Sequence, residues 1–434
     1  MSIYRYEEAF AASDKTTMAM RKAIDRWFSL YYDEVATESQ DTCQRLAYTV
    51  VNKLIKTVFG EYKPMAEEDF TRHVVERLDD CRKQAMELAL IGGESYLKPC
   101  IGKDGFTFTV IPRNRALIFA RDIRGVPTDV GTLEQSTWGN FYYTLLERRF
   151  VDSQGYLTIQ NRLFRASTRE NLGQEVSLKS CPVFSHLAES YRYETPLDSI
   201  GLVMLRTPMF NCIDGSNEGV SIYAAAAGLI QAVDENEAQL RGEFTRGQSR
   251  IIASRDLLRD GVALEDHLIV GLDEDPERVG ITVFSPNLRQ ESYLARKQEY
   301  LRNVESIIGL KRGMLSDANT EDRTATEIAS SASDYNLTVT DLQLMWQGAL
   351  EKTVNLCAQL STLYGKKVSP GKVSVDWGNG VLYDEDTTWT GYMAMVEAGI
   401  LKPEIALAWR FNLPCKTPQD LEKIRRDYMP QQVE

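Results

Sequence analysis

Three histidines (His73, His186, His267) and seven cysteines (Cys43, Cys81, Cys100, Cys181, Cys212, Cys357, Cys415) are the side chains best suited to metal or nucleophilic chemistry in this chain. Imidazole and thiolate hold zinc or attack a carbonyl where two or more converge, which a sequence signals by close pairs such as C-x-x-C. No such pair occurs, and the histidines share no ligand-type spacing. The cysteines are odd in number and scattered, so they read as separate reduced thiols. The acidic clusters Asp79-Asp80, Asp273-Glu274-Asp275 and Asp384-Glu385-Asp386 could hold divalent ions for phosphodiester cleavage. A two-metal site, however, draws carboxylates from separate strands, and runs of adjacent acids usually face solvent. There is no G-x-x-x-x-G-K-[ST] loop for nucleotide phosphates and no G-x-S-x-G elbow. Gly92-Gly93-Glu94 ends a helical pattern. Gly215-Ser216-Asn217-Glu218-Gly219 precedes one without a lysine, where a plain turn accounts for it better than an anion site. The expectation is a protein without catalytic residues, metal or cofactor.

Two adjacent cations remain, Lys311 and Arg312, heading a polar stretch that continues through Ser316 to Asn319 and Thr320. Such side chains contact phosphate oxygens, and they equally form surface ion pairs. With 50 basic and 62 acidic residues the chain carries −12, whereas proteins that grip nucleic acid show a basic footprint. Any DNA it handles should be guided rather than held. Hydrophobic residues at 43% and charged residues at 26% indicate globular structure with sizeable cores. No apolar run approaches the ~20 residues that span a bilayer. The start, Met1-Ser2-Ile3-Tyr4-Arg5, lacks the pattern of a secretory signal, so the protein is expected inside a cell with no membrane partner.

The elements that would position these residues follow from periodicity. Residues 5–96 read as helical over Met18–Phe28, Cys43–Val58 and Phe70–Leu90, with Gly92-Gly93 as the stop. From 94 to 200 the period becomes two, giving a mainly antiparallel β region with turns at Lys103-Asp104-Gly105, Asp122–Gly125 and Asp152–Gly155. Residues 201–220 read as a linker. A helix over 220–247 then carries a narrow apolar seam through Ile222, Leu229, Val233 and Leu240. Strands at Arg250–Ala253, His267–Val270 and Ile281–Phe284 make a small excursion. A second helix follows through Leu294, Leu301 and Ile308. Ile328 through Tyr364 then define a helix near 40 residues, about 60 Å long at 1.5 Å per residue and too long to fit around one compact core. A strand at Lys372–Trp377, helices near Trp389–Gly399 and Pro403–Phe411, and a capped helix opening at Thr417-Pro418-Gln419-Asp420 complete the chain.

Several segments in this order resemble the portal proteins of siphophages, in particular the SPP1-like group. They are Tyr143-Thr144-Leu145-Leu146-Glu147-Arg148-Arg149, Gly155 to Phe164, Asn171-Leu172-Gly173, Leu205-Arg206-Thr207-Pro208, and Gly219-Val220-Ser221-Ile222-Tyr223 with Asp234 beyond it. Arg323-Thr324-Ala325-Thr326-Glu327-Ile328 resembles the segment opening that family's long helix, and Val396 to Leu401 a C-terminal helix end. The likeness spans roughly residues 140–410; residues 1–90 fit only in being helical.

The resemblance implies an α+β portal fold with a helical and β wing, a two-helix stem, a small α/β clip, a long spine helix and a helical C-terminal crown. On that map residues 1–218 are wing, 219–247 and 289–309 the stem helices, 248–288 the clip and 310–325 a tunnel loop. Residues 326–365 are the spine and 366–434 a wing strand plus crown. It further implies a ring, usually of twelve copies, through which double-stranded DNA is packaged and ejected at one capsid vertex of the virion, after assembly in the host cytoplasm. Terminase, head–tail adaptor, major capsid and scaffolding proteins are the implied partners. Arg255, Arg259, Asp273, Glu274 and Asp275 would dock partners at the clip, the apolar seams would pack the stem helices around the ring, and Lys311 and Arg312 would approach the DNA. The competing readings are a minor capsid or scaffold-type protein without a channel and a metal-dependent nuclease.

Overall fold

Helices come first because apolar residues recur there every three to four positions. A computed structural model describes residues 6–32, 42–102, 105–197, 199–247, 250–254, 268–271, 281–284, 288–317, 325–378, 385–411, 413, 415 and 417–429. After the single turn α1 (Glu7–Phe10), α2 (Met18–Tyr32) buries Met20, Ile24, Trp27, Phe28 and Tyr31 along one side. Then come α3 (Leu46–Val58), β1 (Lys63–Ala66), α4 (Asp69–Asp79) and α5 (Arg82–Gly92). The pattern over Phe70–Leu90 is therefore two helices rather than one, because Cys81 leaves helical geometry at φ −113°, ψ 2°. Gly93, at φ 81°, caps α5 by donating to the Ala89 carbonyl, a left-handed conformation that glycine adopts without steric cost.

Nine strands follow: β2 (Glu94–Gly102), β3 (Gly105–Pro112), β4 (Ala116–Arg121), β5 (Pro127–Trp138), β6 (Phe141–Val151), β7 (Leu157–Ala166), β8 (Gln174–Val176), β9 (Ser190–Arg192) and β10 (Val203–Arg206). They form two sheets. One has the order β10-β2-β3; the other runs β4-β5-β6-β7-β8 with β9 also on β7. All these pairings are antiparallel. The stretch 201–220, expected as a linker, contains β10, whose Val203 to Arg206 lie opposite Leu97 to Glu94. The inner residues Tyr96, Ile111, Ala116, Ile118, Val130, Ile200 and Leu202 form one core cluster. Tyr6 and Phe10 of the N-terminal segment close a second against Leu117, Phe119, Leu146 and Phe164.

Beyond β10 lie α6 (Ala227–Arg246), β11 (Arg250–Ser254), β12 (Leu268–Gly271), β13 (Ile281–Phe284), α7 (Gln290–Ile308) and α8 (Ala325–Leu363). The expected start of the first of these helices near residue 220 is corrected to Ala227. Residues 221–226 are turns tied to α5, with the Ile222 amide and the Ser221 hydroxyl both donating to the Leu90 carbonyl at 2.9 and 3.0 Å. β11 pairs parallel to β12 and antiparallel to β13. α8 lies against β10, β2 and α4, turning Tyr335, Val339, Leu342, Trp346, Leu350, Cys357 and Leu360 inward.

The chain divides into two units, Met1–Ile55 with Ala66–Val373, and Lys56–Met65 with Ser374–Glu434. In the second, β1 pairs with β14 (Val373–Asp376), and Phe59, Tyr62 and Trp377 pack ring against ring. Its helices are α9 (Glu385–Glu397), α10 (Pro403–Arg410) and α11 (Pro418–Tyr428). The last begins with a reciprocal capping box between Thr417 and Asp420.

Candidate functional site

The candidate site is the α6–α7 pair and the loop that leaves α7. The two helices are tied along their length. Near their open end the Arg289 guanidinium pairs with Glu243 at 3.0 Å. Midway, the Asn236 side-chain amide donates to the Tyr293 carbonyl at 3.1 Å, and Lys297 pairs with Glu237 at 3.0 Å. Lys297 also donates to Gln44, whose own amide donates to Asp234 at 2.7 Å, so the entry to α3 is pinned across both helices.

The apolar seams mostly serve the chain's own interior. Ile222, Val233, Leu240, Leu301 and Ile308 are buried within the single chain. Expected from sequence to face neighbouring copies, these five are already covered within the single chain. Leu229 is half-buried, Leu294 is 44% exposed, and Phe244 on α6 is 42% exposed.

At the end of α7, Gly309 (φ 76°) stops the helix. The chain then turns at Lys311–Met314, the Met314 amide donating to the Lys311 carbonyl at 3.1 Å. Gly313, in third position at φ 89°, supplies the positive dihedral of a type II turn. Lys311 and Arg312 are exposed on this turn. Ser316, expected beside them as a channel residue, is instead buried, its hydroxyl donating to the Glu305 carboxylate at 2.8 Å. Arg255, Arg259, Asp273, Glu274, Asp275, Asn319 and Thr320 lie outside the described residues.

Two buried ionic clusters hold the frame behind this site, and neither is evident from sequence. In the first, Glu94 at the start of β2 accepts from Tyr96 Oη (2.6 Å), Arg121 (2.9 Å), Arg206 (3.2 Å) and the Gly219 amide (3.0 Å). Arg113, fully buried, lies beside Glu94 at 3.7 Å, pairs with Glu218 at 2.9 Å and donates to Thr16 at 2.7 Å. Burial alone would raise the Glu94 carboxyl, but the guanidiniums of Arg121, Arg113 and Arg206 outweigh it and bring the group down to about 2. The cluster thus binds the N-terminal segment, both sheets and the approach to α6 at one point. There Gly93 and Gly219 touch backbone to backbone, leaving no room for a methyl group on either.

The second cluster links the two sheets. Lys98 of β2 pairs with Glu134 of β5 at 2.5 Å and Glu147 of β6 at 2.8 Å, and Arg149 donates to Glu147 at 2.6 Å. Glu147 is also held at about 2, burial being outweighed by Arg149 and Lys98. Signals for these residues existed only as polar letters in apolar contexts, namely Glu94 after two glycines and Glu147 in an alternating strand.

The segments that suggested a portal protein are largely structural. Tyr143, Leu145, Leu146, Glu147, Arg149, Leu163, Phe164, Leu205 and Thr207 are buried, and the Thr207 hydroxyl bridges the Gly93 and Val220 carbonyls. Among the described residues, no group of three or more His, Cys, Asp or Glu is placed to hold a metal ion, and no helix is long and apolar enough to cross a membrane. No curated protein matches the chain. The family model for phage portal proteins of the SPP1 Gp6-like type matches residues 73–428, which include both ionic clusters' acidic residues, the α6–α7 pair, its loop and α8. This chain belongs to the SPP1 Gp6-like family of phage portal proteins.

Proposed function

We propose that the chain is one subunit of a closed portal ring through which double-stranded DNA enters and leaves the capsid. The observation that carries this reading is the family match across residues 73–428. In the ring, α6 and α7 form the stem, and residues 248–288 form the clip that meets terminase and then the head–tail adaptor. The turn at Lys311 and Arg312 approaches the duplex. A subunit at −12 suits a conduit: copies around a ring give a mostly repulsive bore, and a few cations supply passing phosphate contacts without the counterion-release affinity that would stall DNA. A heterologous contact that closes by rotation is the interface type such a ring uses.

Negative-stain images of the purified protein, or of particles carrying it, should show annular multimers with a central opening. Their absence from both would leave the reading of a capsid or scaffold-type protein without a channel. Within assembled rings, Lys311→Glu with Arg312→Glu should cut packaged DNA per particle by about tenfold, since each reversal replaces a phosphate contact with repulsion. Normal packaging by the double variant would remove the turn from the DNA path.

A further inference from the structure

The Glu305 carboxylate, on the inward face of α7, is 1% exposed. Leu301, Val304, Ile308 and Leu310, all apolar, are buried around it in sequence. No Lys, Arg or His pairs with it among the described residues. Its charge is met by the chain that follows: Oε1 accepts from the amides of Gly313 (3.1 Å), Leu315 (2.5 Å) and Ser316 (2.9 Å), and Oε2 from the Ser316 hydroxyl (2.8 Å). Successive backbone N–H groups turned on one anion form a nest, normally a site for a bound phosphate or carboxylate. Here the anion is supplied by the helix itself. About two helical turns toward the start of α7, Gln298 takes the Asp317 amide at 2.8 Å, so residues 313–317 fold back along the helix.

We propose that Glu305 is the positioning residue of the loop, the anchor that fixes the Lys311–Met314 turn so that its two cations project at a set height and direction. The inference rests on the reading of that turn as a DNA contact and adds what holds it in place. Burying an unpaired carboxylate is costly unless hydrogen bonds replace its water, and the loop backbone provides that replacement only when folded in this one form. The loop and the acid therefore require each other. Removing the carboxylate frees three amides and a hydroxyl, and Lys311 then samples many positions instead of one.

The test uses DNA-filled heads containing each portal, treated with formaldehyde, with the Lys311–DNA adduct measured by mass spectrometry per assembled ring. Glu305→Ala should lower the adduct about tenfold, the scale on which losing a charge-assisted hydrogen bond shifts an equilibrium. Glu305→Gln, which keeps the shape but not the charge, should fall between it and wild type. Ser316→Ala, which removes only the hydroxyl bond, should lower the adduct about twofold. Ring yield and melting temperature are followed in parallel, and should Glu305→Ala fail to assemble, the two milder variants decide. A wild-type adduct that persists undiminished in the variants, or a loss that merely tracks missing rings, overturns the inference alone. If wild-type Lys311 forms no adduct, the DNA-contact reading falls first and this inference with it.

Discussion

Replacing Glu94 by alanine should cost about 3–5 kcal/mol of folding stability, the usual penalty for stranding the partners of a buried ion pair. The expectation follows from what Glu94 touches. Three arginines, a tyrosine hydroxyl and the Gly219 amide converge on one carboxylate with no exposed surface. Without it, Arg113 loses one of its acidic neighbours while remaining fully buried beside Glu218. Urea unfolding of the unassembled chain, followed by tryptophan fluorescence, should show a clearly lower midpoint, and a midpoint equal to wild type would mean the arginines repartner without loss.

The same cluster fixes the direction of the pH dependence. Glu94 and Glu147 titrate near 2 when folded, against 4.5 for an ordinary glutamate. Their folded values are depressed, so their contribution is complete above about 4.5 and drains away as pH falls towards 2. Unfolding midpoints measured between pH 7 and pH 3 should therefore drop below pH 4.5, and Glu94→Ala should flatten that drop.

The second large effect is expected at Trp346→Ala, about 3–5 kcal/mol for removing a fully buried indole. Trp346 is 0% exposed at the centre of the inward stripe of α8, the helix that braces β10, β2 and α4. Leu344, two positions away on the outer side, is 60% exposed, and Leu344→Ala should stay within about 0.5 kcal/mol of wild type. Equal losses from the two variants in the same urea titration would show that α8 is not held by this face.

How far the sequence foretold the structure depended on whether a signal was local. α8 was readable because helix-spaced apolar residues run along its 39 residues with no proline and a single glycine, Gly348. The opening of α11 was readable because a capping box is written within four residues. The break between α4 and α5 was not, since Cys81 departs from helical geometry while the apolar residues on either side keep a helix-like spacing. β10 was missed because four residues are too few to display a period, and its partner β2 lies about a hundred positions earlier. The loop's cations were legible as charge. Glu305, which holds the loop, was not: a glutamate within a helix usually signals solvent, and only the folded backbone of residues 313–316 reveals its partners.

Gly247, at the end of α6, lies against the Leu288 side chain, and Glu243 pairs with Arg289, so the chain departs for β11 and comes back from β13 at one place. A segment whose two ends meet adds little strain to its host whatever its length, because loop-closure entropy grows only slowly with the number of residues between fixed points. The forty residues from 248 to 287 are accordingly expected to tolerate replacement by a segment of different length. Such a piece can diverge, or be exchanged between relatives that face different machinery, while the helices that bear it keep their register.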